Sequence, residues 1–74
     1  MKIHCYITFP TVFFALRAES VLAENLCPFK MVPVPRSISS SCGTALQCSC
    51  EDVEKITELL NQGHVEFDSI HRLT

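Results

Sequence analysis

The sequence predicts one α+β domain in which two helices cover the same face of a four-stranded antiparallel sheet. Segments with apolar residues at every second position alternate with two segments of helical period, in the order β-α-β-β-α-β. A length of 74 residues, 47% of them apolar, allows one small core, so residues 1–74 form a single domain. Right-handed crossovers then place the first and third strands in the centre of the sheet. This arrangement is ferredoxin-like, a name that implies no iron–sulfur cluster.

The first strand and the first helix are predicted from a change of period at Pro10. Residues 3–9 alternate, and their apolar members fall on one face of a strand. Thr11 can cap a helix through its hydroxyl and Pro28 stops the helix, which predicts a helix over residues 12–26. The core side of this helix is expected to carry Phe14, Ala15, Ala18, Val21, Leu22 and Asn25.

The second extended segment, residues 29–36, is predicted to be an edge strand. Pro33 and Pro35 have no amide hydrogen, and residues two apart direct their amides to the same edge. No partner strand can therefore be paired along that edge. A polar turn over residues 37–43 follows, and the next segment, residues 44–50, alternates without proline and can be a central strand.

The second helix is predicted to begin at Glu51 and Asp52, because carboxylates favour a helix N-terminus. Gly63 is expected to end this helix in a left-handed conformation. Residues 65–73 form a last strand, whose broken alternation leaves its register open. The apolar stripe of the second helix is Val53, Ile56, Leu59 and Leu60.

Charge and the uncovered sheet face limit the classes of partner. The net charge of −2 disfavours nucleic-acid binding, and the chain contains no run of 18 apolar residues that could span a membrane. The second sheet face is expected to be exposed or to meet a partner, so the chain can associate with itself through this face or an edge strand. This face is predicted to carry His4, Tyr6, Gln47 and Ser49.

Five cysteines are an odd number, so they cannot all pair within the chain. A removable leader ending at Ala23 would leave an even number, but polar residues and Arg17 interrupt its apolar stretch. We therefore expect a cytoplasmic protein. Cys5 and Cys48 alternate with apolar residues and are predicted to be small core residues, whereas the roles of Cys27 and Cys50 stay open.

Cys42 is the candidate reactive residue, at the close of the polar turn. If the hairpin pairs Arg36 with Gly43, or Ser37 with Cys42, the guanidinium of Arg36 can reach the sulfur and favour its thiolate form. Gly43 leaves one side of the sulfur open. Neighbouring hydroxyl groups can hydrogen-bond an anionic sulfur adduct, and these belong to Ser39, Ser40 and Ser41.

These segments together resemble a known family. The segments that carry the resemblance are Phe9-Pro10, Ala15-Leu16 followed by Glu19, Pro33-Val34-Pro35-Arg36 and Ser39-Ser40-Ser41-Cys42-Gly43. In these segments the chain is similar to the selenium/sulfur carrier-like family of small bacterial proteins, also known as a domain of unknown function. The resemblance covers nearly the whole chain, and its most specific part is the Pro-Val-Pro-Arg and Ser-Ser-Cys-Gly stretch.

The resemblance implies a carrier without turnover of a small molecule, and without cofactor or metal. Cys42 would hold sulfur or selenium as a persulfide or perselenide, Arg36 would stabilise the anion, and donor and acceptor proteins would be the partners. The residues themselves leave two alternatives open. One is a thiol-redox or metal-binding module that uses Cys42 with Cys48 or Cys50, and Cys27 or a histidine for a metal. The other is an interaction domain in which Cys42 is idle. A Cys–His pair would require His71 close to Cys42.

Overall fold

The computed structural model describes residues 3–38 and 42–73. The first half of the chain consists of β1 (His4–Thr8), α1 (Val12–Glu24) and β2 (Lys30–Pro33). The second half consists of β3 (Thr44–Ser49), a 3₁₀ turn (Cys50–Asp52), α2 (Val53–Gln62) and β4 (Ser69–Leu73). None of the helices in this described part is long and apolar enough to cross a membrane.

The sheet has the predicted ferredoxin-like topology. Its strand order is β2-β3-β1-β4, with every neighbouring pair antiparallel. The proline-containing β2 lies at an edge, as its missing amide hydrogens require. The register of β4, which the sequence left open, places His71 opposite Tyr6 and Ile70 opposite Ile7.

The core lies between the helices and one face of the sheet. Alternate residues of β1 and β3 point into it, and α1 contributes the small side chains of Ala15 and Ala18, which allow the helix to approach the sheet closely. Asn25 was expected on this core side, but the helix ends at Glu24 and Asn25 is exposed. The buried cluster consists of Cys5, Ile7, Phe9, Ala15, Ala18, Leu22, Cys27, Leu46, Cys48, Ile56, Leu60 and Val65.

The helix ends differ from the predictions. The first helix ends at Glu24 and not at residue 26, and Glu51 and Asp52 lie in the 3₁₀ turn, so α2 begins at Val53. Thr11 is the N-cap residue of α1, but its side chain makes no capping hydrogen bond. Gly63 has φ −86°, so the predicted left-handed glycine is wrong, and His64 takes the left-handed position with φ 56°. Gly63 is needed for a different reason, because an added Cβ would lie 2.9 Å from Cγ2 of Val21 on α1. The guanidinium of Arg17 also donates to the Gly63 carbonyl and joins the two helices there.

The sheet face opposite the helices is covered at one end. Thr8 and Ala45 are paired on this face, and both are fully buried. Ile38, after β2, is buried as well and does not belong to the helix-side cluster. The expectation of an uncovered face is therefore wrong here. Toward the other end of this sheet face, Tyr6 and Gln47 are only half-buried, and they are joined by a 2.8 Å hydrogen bond. The expectation of an uncovered face agrees better with this end.

Candidate functional site

The hairpin between β2 and β3 carries the candidate site. The last pair of the ladder is Pro33 opposite Thr44, and the amide of Val34 donates to the carbonyl of Gly43 at 3.1 Å. This register differs by two residues from the pairing that we considered, so Arg36 does not lie opposite Gly43. Instead, Val34 lies opposite Gly43, and Cys42 lies just beyond the paired strands.

Cys42 is half-buried and packs against the edge of the core. Its thiol donates a hydrogen bond to the carbonyl oxygen of Thr44, two residues ahead, with a sulfur–oxygen distance of 3.2 Å. A carbonyl oxygen can accept this bond only from the protonated sulfur. The contact therefore belongs to the resting thiol, and it must break when the sulfur becomes a nucleophile.

Gly43, the residue after Cys42, has a backbone conformation that favours glycine. Its φ is +73°, a left-handed conformation that side chains rarely adopt, and within residues 3–38 and 42–73 no atom lies within 4 Å of the position that a Cβ would occupy. The backbone conformation therefore favours glycine at this position. The predicted role of Gly43, to leave one side of the Cys42 sulfur open, stays a prediction.

Arg36 lies in a turn closed by a 2.9 Å hydrogen bond from the amide of Ile38 to the carbonyl of Pro35. Its side chain is exposed, and within residues 3–38 and 42–73 it makes no hydrogen bond or ion pair. The predicted contact between Arg36 and the Cys42 sulfur is thus not formed in the resting hairpin. The other predicted anion-binding residues, Ser39, Ser40 and Ser41, lie outside the described residues.

His71 is far from Cys42. It lies on β4, opposite Tyr6, whereas Cys42 precedes β3 on the other side of β1. Its Nε2 atom is 2.8 Å from the hydroxyl of Ser69, which is itself 2.8 Å from the hydroxyl of the buried Thr8. The structure therefore uses His71 in a polar network at the sheet edge and does not form a Cys–His pair with Cys42.

The remaining cysteines gather at the opposite end of β3. Cys5 is buried as predicted, but it is bonded to Cys50 in a disulfide, with 5.1 Å between the Cα atoms, so its description as a simple core residue is wrong. Cys48 and Cys27 are buried thiols. From residue 42 to residue 48 an extended chain covers about 20 Å at roughly 3.3 Å per residue. Cys42 therefore cannot share a metal or form a disulfide with Cys48 or Cys50 in this fold.

The surroundings of Cys48 favour its protonated form. Burial, and to a smaller extent the nearby Asp52 and Cys27, raise the pKa of the Cys48 thiol from 9.0 to about 11. A shallow groove of about 170 Å³ borders this thiol and is lined also by His4, Pro28, Phe29, Gln47, Ser49 and Asp52. Across the described part of the chain, no group of three or more His, Cys, Asp or Glu residues is arranged to hold a metal ion.

Sequence reasoning missed the Cys5–Cys50 disulfide although a signal for it existed. Cys5 and Cys48 alternate onto the core face of the two central strands, and Cys50 follows two residues later with the same parity. That topology alone puts all three sulfurs at one end of the core. Alternation with apolar residues predicted Cys5 and Cys48 as small core residues and left the role of Cys50 open, so no pairing was predicted.

Comparisons with known proteins support the resemblance that the motifs indicated. A family model described as "Putative Se/S carrier protein-like" matches residues 4–72, which is nearly the whole chain. Searches of curated proteins and of solved structures found no match.

Proposed function

On the premise that the chain belongs to the Se/S carrier protein-like family, we propose that it carries sulfur or selenium on Cys42 between a donor and an acceptor protein. The observation that carries the proposal is the position of the Cys42 thiol. It is half-buried at the mouth of a hairpin fixed by the Val34–Gly43 hydrogen bond, and no atom of the described residues lies within 4 Å of a Cβ placed on Gly43. A carrier of one atom needs an accessible sulfur on a fixed backbone and no deep pocket.

Loading begins when the Cys42 thiol loses its proton and its hydrogen bond to the Thr44 carbonyl. The thiolate attacks the outer sulfur or selenium of a donor persulfide or perselenide. A new bond forms between the Cys42 sulfur and that atom, the bond to the donor sulfur breaks, and the donor leaves as a thiolate. The atom is transferred without net oxidation or reduction.

Unloading is the same reaction in the other direction. An acceptor thiolate attacks the outer atom on Cys42, and Cys42 leaves as a thiolate that recovers its proton and its bond to Thr44. Arg36 lies on the same hairpin and is exposed, so its guanidinium can move to the anionic adduct when cargo is present. We assign the same role to the hydroxyl groups of Ser39, Ser40 and Ser41.

The location and the partners follow from this chemistry. A thiol that must stay reduced between transfers suits the cytoplasm. Donor and acceptor are proteins with nucleophilic cysteines, and they must approach the hairpin end of the molecule. Self-association through the sheet face around Tyr6 and Gln47, or through the edge strand β4, leaves that end accessible.

The test is direct loading of the folded protein with its Cys5–Cys50 disulfide intact. We expect incubation with a low-molecular-weight persulfide to add about 32 Da, or about 79 Da with a selenium donor, in intact mass spectra. The Cys42→Ser variant should take up no label, whereas the Cys48→Ser variant should label like the parent. Equal labelling of the parent and Cys42→Ser would refute the proposal.

The rate of alkylation tests the alternative in which this is an interaction domain with an idle cysteine. We expect iodoacetamide to modify Cys42 several-fold faster than a peptide thiol near pH 7, because the exposed guanidinium of Arg36 on the same hairpin can move to the sulfur as it reacts. Arg36→Ala should remove this acceleration and Arg36→Lys should retain part of it. An ordinary rate that does not change in Arg36→Ala would favour the interaction domain.

A further inference from the structure

A second thiol site lies at the end of the core away from Cys42, and the proposed carrier function does not use it. Cys5 on β1 and Cys48 on β3 are directly paired across the two central strands, and both are almost completely buried on the helix side. Cys50, at the start of the 3₁₀ turn, is half-buried and bonded to Cys5. Three sulfurs therefore converge at one point of the sheet.

The geometry points to a thiol–disulfide exchange site in which Cys5 is a shared partner that can bond to either Cys50 or Cys48. Directly opposed residues of an antiparallel pair have Cα atoms about 4.5–5.5 Å apart, which is within the range of about 4.4–6.8 Å that a disulfide accepts. The thiol of Cys48 already approaches β1, with its sulfur 3.8 Å from the carbonyl oxygen of Cys5. A rotation of its side chain is the main change needed to reach the Cys5 sulfur.

The exchange balances without an external oxidant. The Cys48 sulfur, as a thiolate, attacks the Cys5 sulfur; the Cys5–Cys48 bond forms, the Cys5–Cys50 bond breaks, and the electron pair leaves on Cys50. Cys48 loses one proton before the attack, and the Cys50 thiolate takes up one proton after it leaves. Because Cys50 is the most accessible of the three sulfurs, the product presents a thiol that a low-molecular-weight disulfide, such as glutathione disulfide, can convert to a mixed disulfide.

The surroundings of Cys48 set the pH at which exchange is fast. Asp52 from the 3₁₀ turn, Cys27 from the segment after α1 and His4 from β1 all border Cys48. Burial, Asp52 and Cys27 together hold the pKa of Cys48 at about 11. Only the thiolate attacks. We therefore expect the exchange rate to increase about tenfold for each unit by which the pH rises, as long as the pH stays below that pKa.

Tryptic mapping can identify the partner of Cys5 unambiguously. Cleavage after lysine and arginine places Cys5 in peptide 3–17, Cys27 in peptide 18–30, and Cys42, Cys48 and Cys50 in peptide 37–55. In a Cys42→Ser/Cys50→Ser protein the last peptide contains only Cys48. After equilibration in a glutathione redox buffer, acid quenching and alkylation, we expect peptide 3–17 to be linked to peptide 37–55.

The Cys42→Ser/Cys48→Ser protein is the matched control and should give the same two peptides linked through Cys50. A link between peptides 18–30 and 37–55 in the first protein, or complete alkylation of Cys5, would overturn the proposal. Since every protein in this experiment lacks Cys42, the result is independent of the carrier function.

A second measurement does not depend on the folding of the Cys50→Ser protein. In a chain changed only at Cys42, fragmentation between residues 48 and 50 reports which of the two cysteines is linked to Cys5. We expect the link to Cys48 to form faster as the pH rises from 7 to 10. A link that stays on Cys50 at every pH and time point would contradict the exchange.

Discussion

Reduction of the Cys5–Cys50 disulfide should lower the stability of this protein by an amount that follows from the length of chain that the bond closes. The two cysteines lie 45 residues apart. In the loop-entropy description, a crosslink of that span removes about 13 cal/mol/K from the unfolded chain, or about 4 kcal/mol at 25 °C. A domain of 74 residues has a total stability of roughly 4–11 kcal/mol. We therefore expect the reduced chain to be only marginally folded.

Urea unfolding followed by circular dichroism, with and without a phosphine reductant, measures this difference. At a slope near 1 kcal/mol/M, the loss corresponds to a midpoint that falls by about 4 M, or to a chain that is unfolded before urea is added. Cys5→Ala is the control, because it removes the shared partner of both possible disulfides and should be insensitive to the reductant. A stability change below about 1 kcal/mol in the parent protein would refute the entropic reasoning.

Two further predictions concern the end of α2 and the buried Cys48 thiol. His64→Gly should stabilise the protein by about 1 kcal/mol in thermal unfolding, because His64 occupies a left-handed conformation with φ 56° that glycine adopts without steric cost; an unchanged or lower midpoint would contradict this. Gly63→Ala should instead destabilise the protein by about 1–3 kcal/mol, because the added Cβ would lie 2.9 Å from Cγ2 of Val21. Adding Val21→Ala should relieve this clash. If the losses of stability from the two substitutions were purely additive, that explanation would be contradicted. The raised pKa of Cys48 predicts a loss of stability with rising pH. The Cys48 thiol keeps its proton up to about pH 11 in the folded chain but only up to about pH 9.0 in the unfolded chain. Its contribution to the free energy of unfolding is therefore complete below pH 9 and falls by up to about 1.4 kcal/mol per pH unit between the two values. Urea titrations of the parent and of Cys48→Ala over pH 8–11 should differ by this slope, and parallel curves would show that the thiol does not couple to folding.

The two thiol sites are arranged so that they do not exchange with each other within one chain. Cys42 lies before the first residue of β3 and Cys48 near its last, so the length of the strand separates them. Under the proposed function, this separation would keep cargo on Cys42 from being captured by Cys48 or Cys50 of the same chain. The same strand that fixes the carrier hairpin thus also isolates it from the disulfide.

Much of the fold followed from the sequence because it depends on local patterns. Alternation and helical period located all four strands and both helices, and the prolines at positions 33 and 35 placed β2 at an edge. The motif around Cys42 was sufficient to indicate the family that the family model then matched. Helix ends were less predictable. His64 rather than Gly63 takes the left-handed position, and Gly63 is instead required by its close approach to Val21 on the other helix.

The sequence by itself determined the topology, the family and the identity of the candidate nucleophile, since these depend on which residues occur and on their spacing along the chain. Only the tertiary structure decided the hairpin register, the exposed position of Arg36 and the bond between Cys5 and Cys50. Each of these depends on how segments distant in sequence are brought into contact. A shift of two residues along a strand preserves its alternation of faces but moves every cross-strand neighbour, so local pattern alone cannot distinguish the two registers.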